Sequence, residues 1–212
     1  MTVIGSGRAG SALAARLRER GVVVRPNGEL RLLCVPDRAI AEVAAAIEPG
    51  PWVAHVSGAT PLAALDPHDR RFSLHPLQTL VRERGPEQLD GAWAGVTAET
   101  GEAQARALWL AGTLGLRPFA LADDRRVAYH AGAAFASNFL VTLYRIASQL
   151  VVEAGAPPEA LVPLMTRTIE NGFQLTGPIA RGDWPTVERH REALRDTPWA
   201  ALYDDLVEAT QA

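Results

Sequence analysis

Apolar residues follow two rhythms along this chain, and the change comes near residue 122. Before it, short runs at 2–4, 22–24, 32–35, 52–56, 72–74, 93–97 and 117–121 are bounded by Gly, Pro or charged residues and read as strands. Helical stretches lie between several of them. Residues 8–20 place Ala9, Leu13 and Leu17 at helical spacing and stop before Gly21. Residues 38–47 follow Asp37, a candidate N-cap, and residues 102–114 lie between the last two strands. Strands alternating with helices predict an α/β domain on a mainly parallel sheet, residues 1–122.

From residue 123 the strand signals stop, which predicts an all-helical part, residues 123–212. Asp123 or Asp124 caps a stretch that stays helical to about Ala154. At ~1.5 Å per residue such a helix is on the order of 45 Å long. Its middle is apolar on most faces and rich in Ala, Gly and Ser, so it must be surrounded by protein. The residues after it are too few to cover it, which predicts a homodimer through these helices. Pro157 and Pro158 open a second helix, 159–173, which Pro163 is expected to distort. Residues 176–183 form a structured loop in which Asp183 caps the next helix. Residues 186–194 and 199–209 are also helical by period.

Composition narrows the chemistry. The 212 residues carry a net charge of -3, which gives no basic excess to neutralise nucleic-acid phosphates. All 21 basic residues are Arg, so mechanisms that need a Lys are excluded. The lone Cys34 excludes a disulfide framework within the chain and any multi-Cys metal site, and no metal is expected. No uninterrupted run approaches the ~18 apolar residues of a membrane span, and the first residues lack a signal-peptide pattern. The expectation is a cytoplasmic protein acting on a small molecule, without nucleic acid or membrane.

The most informative motif is Gly5-Ser6-Gly7-Arg8-Ala9-Gly10, between a strand and a helix, the context of a dinucleotide-binding turn. The first Gly permits the turn, the second admits a pyrophosphate and the third lets helix and strand pack. An acidic residue on the ribose is expected about 20 residues on. Here the 22–24 run ends instead in Arg25, which either meets the 2′-phosphate of NADP or is a solvated Arg opening a turn. Only residues 25–31 separate that run from the next, fewer than the dozen or more that a parallel crossover needs. Either the chain makes an unusually short crossing or Pro26-Asn27-Gly28 turns a hairpin. The adenosine side is abbreviated in both cases.

The segments GSGRAGSALA, LLCVPDRAI, HVSGA, FSLHPLQT, YHAGAAFASNFLVTL and TGPIARGD together resemble a family of bacterial Rossmann-like proteins with an uncharacterised C-terminal helical domain, within the 6-phosphogluconate dehydrogenase-like superfamily. The resemblance spans nearly the whole chain. It implies an NAD(P)-linked oxidoreductase with a helical dimerisation domain, and it supplies no substrate. A fainter similarity, to prephenate dehydrogenases, rests on the His-Pro of FSLHPLQT and on the His130–Asn138 pair.

In this architecture a cofactor lies across the carboxyl ends of the strands. Val35, Pro36 and Asp37 would run along the nicotinamide ribose. Ser57, before Gly58, either orients a substrate carbonyl or carboxylate or caps the next turn. His75, before Pro76, either donates a proton through a charge switch near pH 7 or is held structurally. His130 and Asn138 share a helix face with Ala134, roughly 12 Å end to end. Superfamily hydroxyacid dehydrogenases place Lys-x-x-x-Asn on this helix. Asn138 matches the Asn but Ala134 stands at the Lys, so His130 or His75 would have to replace that acid. The pair reads equally as a polar stripe at a helix or dimer contact. Arg181 could bind an anion or a partner subunit, whereas His55, His68 and His190 receive no role. Two functions follow: an NAD(P)-dependent oxidoreductase acting on a small C=O or C=N compound, or a cofactor-deficient dimeric scaffold that keeps the glycine turn as architecture.

Overall fold

The computed structural model describes residues 1–211. The chain divides into two compact units, Met1–Ser137 and Asn138–Ala212. The first is built on a six-stranded sheet whose spatial order follows the sequence: β1 (Thr2–Ile4), β2 (Leu30–Leu33), β3 (Trp52–His55), β4 (Arg71–Leu77), β5 (Trp93–Thr97) and β6 (Arg117–Ala120). Every pairing is parallel except β4 with β5. Helices α1 (Arg8–Glu19) and α3 (Gly101–Leu114) pack Leu13, Leu17, Leu110 and Leu114 on the face that carries Leu32, Ala54 and Phe72. On the other face Leu33 and Val53 meet Ile40 and Ala44 of α2 (Ile40–Ala45), with Leu62 and Leu65. Burial on both faces explains why the strands read as continuous apolar runs.

The 22–24 run is not a strand. Its contact with β1 is confined to one end: Met1 N donates to the Val23 carbonyl at 2.8 Å, and Arg25 N–H donates to the Met1 carbonyl at 3.0 Å. Asn27 then takes a left-handed conformation (φ 59) and the chain crosses beneath the start of β1 into β2. The parallel β1–β2 pairing therefore selects the short crossing over the hairpin. Gly28 makes it sterically feasible, because a Cβ there would lie 2.4 Å from Met1 Cα.

β4 continues past residue 74 to Leu77. Beyond Ser73 it has left β3 and pairs only with β5, so Pro76 breaks no ladder on the β3 side. Arg16 is buried on α1 and ties it to the β4–β5 connection through Asp90 (2.6 Å) and the Pro86 carbonyl (2.6 Å). His68, given no role from the sequence, is buried, with Nε2 2.9 Å from the Ala44 carbonyl.

Residues 123–153 form one helical run: a first turn Asp123–Arg125, α4 (Arg126–Ala134), a π-helical turn Phe135–Phe139, and α5 (Leu140–Glu153). With a mean hydropathy of 1.3 over its best window, it is long and apolar enough to cross a membrane by length and composition. Counting uninterrupted apolar residues missed this, because Gly132, Ser137, Asn138, Thr142, Arg145 and Ser148 interrupt the run while its mean hydropathy stays high.

In the second unit, α6 (Leu161–Glu170) holds Pro163 in its first turn, where the missing N–H has no intrahelical partner, so the helix is not broken. The structured loop expected at 176–183 contains the short helix α7 (Gly177–Ala180). Asp183 caps α8 (Trp184–Leu194), accepting from Thr186 N at 3.3 Å, and α9 (Ala200–Gln211) ends the unit. Val187 and Val207 are the buried apolar residues beyond Leu121 among those described, whereas Leu164 and Phe173 are 62% and 72% exposed.

Replacing Gly28 by Ala should lower stability by about 1–3 kcal/mol, because the added methyl meets backbone that cannot swing aside. At roughly 2–4 °C per kcal/mol, thermal melting reads this directly. An unchanged melting temperature would refute the tight crossing.

Candidate active site

The glycine turn joins β1 to α1. Gly5 takes φ +113, and a Cβ on it would meet the Cys34 carbonyl at 2.4 Å; one on Gly10 would meet the Gly5 carbonyl at 2.0 Å. Gly5 is therefore required by packing against the residue that follows β2, and Gly10 by the close approach of α1 to the Gly5 carbonyl. Gly7 differs, since a Cβ there meets nothing within 4 Å, so open space lies before it. No side chain caps α1 and no acidic residue stands in its first turn, where Arg8, Ala9 and Gly10 lie. The leading N–H groups and the helix dipole thus favour an anion beside Ser6 and Gly7.

The loops after β2 and β3 are tied together. Ser57 Oγ donates to Asp37 Oδ2 at 2.8 Å and accepts from the N–H groups of Ala59 (3.2 Å) and Thr60 (3.0 Å). Ser57 therefore serves as a turn cap, and its buried hydroxyl is already engaged. Val35 and Pro36 occupy the loop just before Asp37.

Gly58 is the floor of a histidine pair. A Cβ on it would lie 2.6 Å from His130 Cδ2 and 2.9 Å from both Cε1 and Nε2 of His75. The two imidazoles meet edge to face with ring centroids 5.9 Å apart. His75 Nδ1 is hydrogen-bonded to the Tyr129 hydroxyl at 2.8 Å, which leaves Nε2 on the side of Gly58. Burial, then the charges of His130 and Arg126, push the His75 pKa down to about 4. A charge switch at neutral pH is thereby replaced by a ring that stays neutral. Burial also raises the Tyr129 pKa.

Behind this surface lies Arg126, fully buried. Nη1 donates to Ser73 Oγ (2.6 Å) and Thr97 Oγ1 (2.7 Å), and Nη2 donates to the Ser57 carbonyl. Nε makes no hydrogen bond, and the Asp123 carboxylate stands 3.9 Å away. His55 is buried beside it, accepting from Ser57 N–H at Nδ1 (3.2 Å). Burial and Arg126 drive its pKa to about 3.

The structure thus brings Ser57, His75 and His130 together around Gly58. Asn138 opens the second unit, in the π-helical turn. Arg25 is not brought to the glycine turn: its backbone is bonded at Met1 and Thr2, at the opposite end of β1. Sequence reasoning missed Arg126 and Tyr129. The signal was the spacing of Arg126, Tyr129 and His130 (i, i+3, i+4), which puts all three on one helical face.

Residues 92–210, more than half of the chain, match a family described as a domain of unknown function, DUF2520. The chain belongs to that family. No curated protein matches it. Among solved structures, a protein from Bacteroides fragilis provisionally called an NADP oxidoreductase superposes with a TM-score of 0.84 at 22% identity, covering 99% of this chain and 96% of its own. A semialdehyde dehydrogenase NAD-binding protein from Cupriavidus necator, in complex with calcium and NAD, gives 0.63 at 20% identity, with 99% and 97% coverage. The Plasmodium falciparum pyrroline carboxylate reductase with NADP bound gives 0.60 at 12% identity, with 99% and 96% coverage. These likenesses establish the Rossmann-like α/β fold with a helical C-terminal part.

His55 and His75 both titrate lower in the folded chain than their ordinary 6.5. As pH falls, the unfolded chain takes up their protons first. The stability they supply is whole above pH 6.5 and drains as pH falls toward about 4 and about 3, at up to about 1.4 kcal/mol per pH unit for each. Urea unfolding at a series of pH values should show this slope. NMR should find His75 still neutral at about pH 5.5; a midpoint of 6 or above would overturn the assignment.

Proposed function

We propose that this protein is an NAD(P)-dependent oxidoreductase acting on a small C=O or C=N compound. The observation that carries the reading is the space before Gly7, bordered by the uncapped start of α1, at the same strand ends as the histidine pair. Gly5 packs on Cys34 and Val35, Asp37 is bonded to Ser57, and Gly58 underlies His75 and His130. Three strand spacings, roughly 14 Å, separate β1 from β4. Ser6 to Gly10 would hold the pyrophosphate, and Val35 with Pro36 would line the nicotinamide half. A bound nicotinamide supplies hydride exchange. In the reduction direction the neutral His75 would donate Nε2–H to the substrate's oxygen or nitrogen while Nδ1 accepts from the Tyr129 hydroxyl. In the oxidation direction the other tautomer is required: Nδ1–H donates to the Tyr129 oxygen, and the bare Nε2 accepts the hydroxyl proton, giving an imidazolium that releases it to solvent. The neighbours with NAD or NADP support a nicotinamide cofactor without choosing between the two. The cytoplasm is the compartment we assign to this chemistry.

A second reading, a cofactor-deficient scaffold, is favoured by one observation: β1 is the edge strand, so a strand on the adenosine side is missing. Each ribose hydrogen bond lost weakens binding roughly fivefold, at ~1 kcal/mol. Calorimetry with NADPH and NADH separates the two readings. Gly7→Val adds bulk where no protein atom stands, so the fold should survive while nicotinamide binding falls at least about tenfold. Arg25→Ala should leave the NADPH-to-NADH ratio unchanged. No binding of either cofactor, or binding indifferent to Gly7→Val, would leave the scaffold.

We also propose a homodimer through the helical unit, with residues 1–122 as the cofactor half and 123–212 as the dimerisation half. The exposed Leu164 and Phe173, the thin core at Val187 and Val207, and the apolar run Asp123–Glu153 support it. The interface would bury on the order of 2,000 Å² or more. Light scattering at micromolar concentration should give twice the chain mass, and Leu164→Asp should shift it toward monomer. A monomer in the unaltered chain would end this proposal.

A further inference from the structure

The amino ends of the strands carry chemistry that the site above does not use. Two adjoining clefts of about 440 and 390 Å³ open there and share Gly28, Glu29 and Arg106. Arg25 and Arg106 line the first, and Arg31, Arg70 and Arg106 line the second; Glu29 is the carboxylate among the lining residues. These cations are poorly neutralised. Arg31 donates only to neutral oxygens, Thr2 Oγ1 at 2.8 Å and Asn27 Oδ1 at 3.4 Å. Arg70 bonds the Gly50 carbonyl at 3.1 Å and stands 3.7 Å from the exposed Glu102. Arg106 lies 5.8 Å from the Trp52 ring centroid and, among the described residues, has no carboxylate within salt-bridge distance.

Beside these charges lies a flat apolar wall. Trp109 is 49% exposed, one helical turn beyond Arg106 on α3, and Val22, Val23 and Leu30 complete the first cleft. The volume is in the range of small-molecule sites. Guanidinium groups recognise phosphate and carboxylate through two parallel hydrogen bonds, and an exposed indole offers a face on which a planar ring stacks.

We propose that this groove is a second binding site, for a flat organic anion: an aromatic or heteroaromatic ring carrying a phosphate or a carboxylate. Arg106 and Arg25 hold the anionic head, and Trp109 stacks the ring. The short crossing after Val24 builds the site, since it sets Arg25, Gly28 and Glu29 around the start of β1. The site is independent of the oxidoreductase reading, because it lies at the opposite ends of the strands from the glycine turn.

Calorimetry on the full chain with AMP, indole-3-acetate and inorganic phosphate tests it. We expect AMP or indole-3-acetate to bind the Gly7→Val chain, in which the glycine turn is blocked, below about 1 mM, with each of Arg106→Ala and Trp109→Ala added to it weakening that binding at least about tenfold. A preference for AMP names phosphate as the recognised head, and a preference for indole-3-acetate names carboxylate; both support the proposal. If AMP binding is lost in Gly7→Val and kept when either groove substitution is made alone, the glycine turn was the binder and the groove proposal fails. Phosphate binding as tightly as the ring-bearing probes, indifferent to Trp109→Ala, means an adventitious ion only and overturns it. No binding of any probe to about 5 mM overturns it as well.

Discussion

A guanidinium taken out of water must find oxygen acceptors or pull its surroundings apart, and Arg126 finds its acceptors on three different strands or their loops. Ser57 follows β3, Ser73 lies in β4 and Thr97 ends β5, and all three accept from this one side chain at the start of α4. Thr97 in turn donates to the Leu121 carbonyl at 2.6 Å, just before the helix begins. Asp123 closes the arrangement by accepting from Leu62 N–H at 3.1 Å. The entry angle of α4 is thereby fixed to the sheet, and with it the positions of Tyr129 and His130 one turn later. Breaking such a buried set by removing one partner costs about 3–5 kcal/mol in general, far more than a surface pair contributes.

The same charge shapes the chemistry. Burial, with Arg126, keeps His55 and His75 unprotonated, so His75 presents a neutral ring beside Gly58 in front of a fixed positive charge. Such a surface suits holding and deprotonating a hydroxyl better than it suits a standing acid. The glycines make the contact possible. Gly5 is compelled by the Cys34 carbonyl after β2, Gly10 by the Gly5 carbonyl and Gly58 by the two imidazoles, whereas nothing within 4 Å compels Gly7. A glycine that its own fold does not require stands where the proposed phosphate would lie.

The sheet was legible because its strands are buried on both faces and interrupted by helices of clear period. β5 was readable to the residue, and α3 to within one. The 22–24 run was misread because three β-branched residues satisfy a strand propensity that only a bonding partner can realise. Here that partner ends at Met1. The site was half legible. Ser57, His75 and His130 follow from strand ends and helix facing. Arg126 did not, because a buried charge is recognisable only from its partners, and Ser57, Ser73 and Thr97 are scattered over 41 residues of sequence.

One constraint remains from the helical unit. Its helices are individually well formed, yet Val187 and Val207 are a small core for so many residues. Burial of apolar area at ~25 cal/mol per Å² is what offsets the entropy of fixing helices, and an exposed apolar surface leaves that account short. The proposed second chain would close the gap without any change within the first. It would also cover the run Asp123–Glu153, whose composition is as much that of a helix buried between protein surfaces as that of a helix in lipid. Arg126, hydrogen-bonded to Ser73 and Thr97 of the sheet, and His130, edge to face with His75, argue for protein as the surroundings of that run at its start.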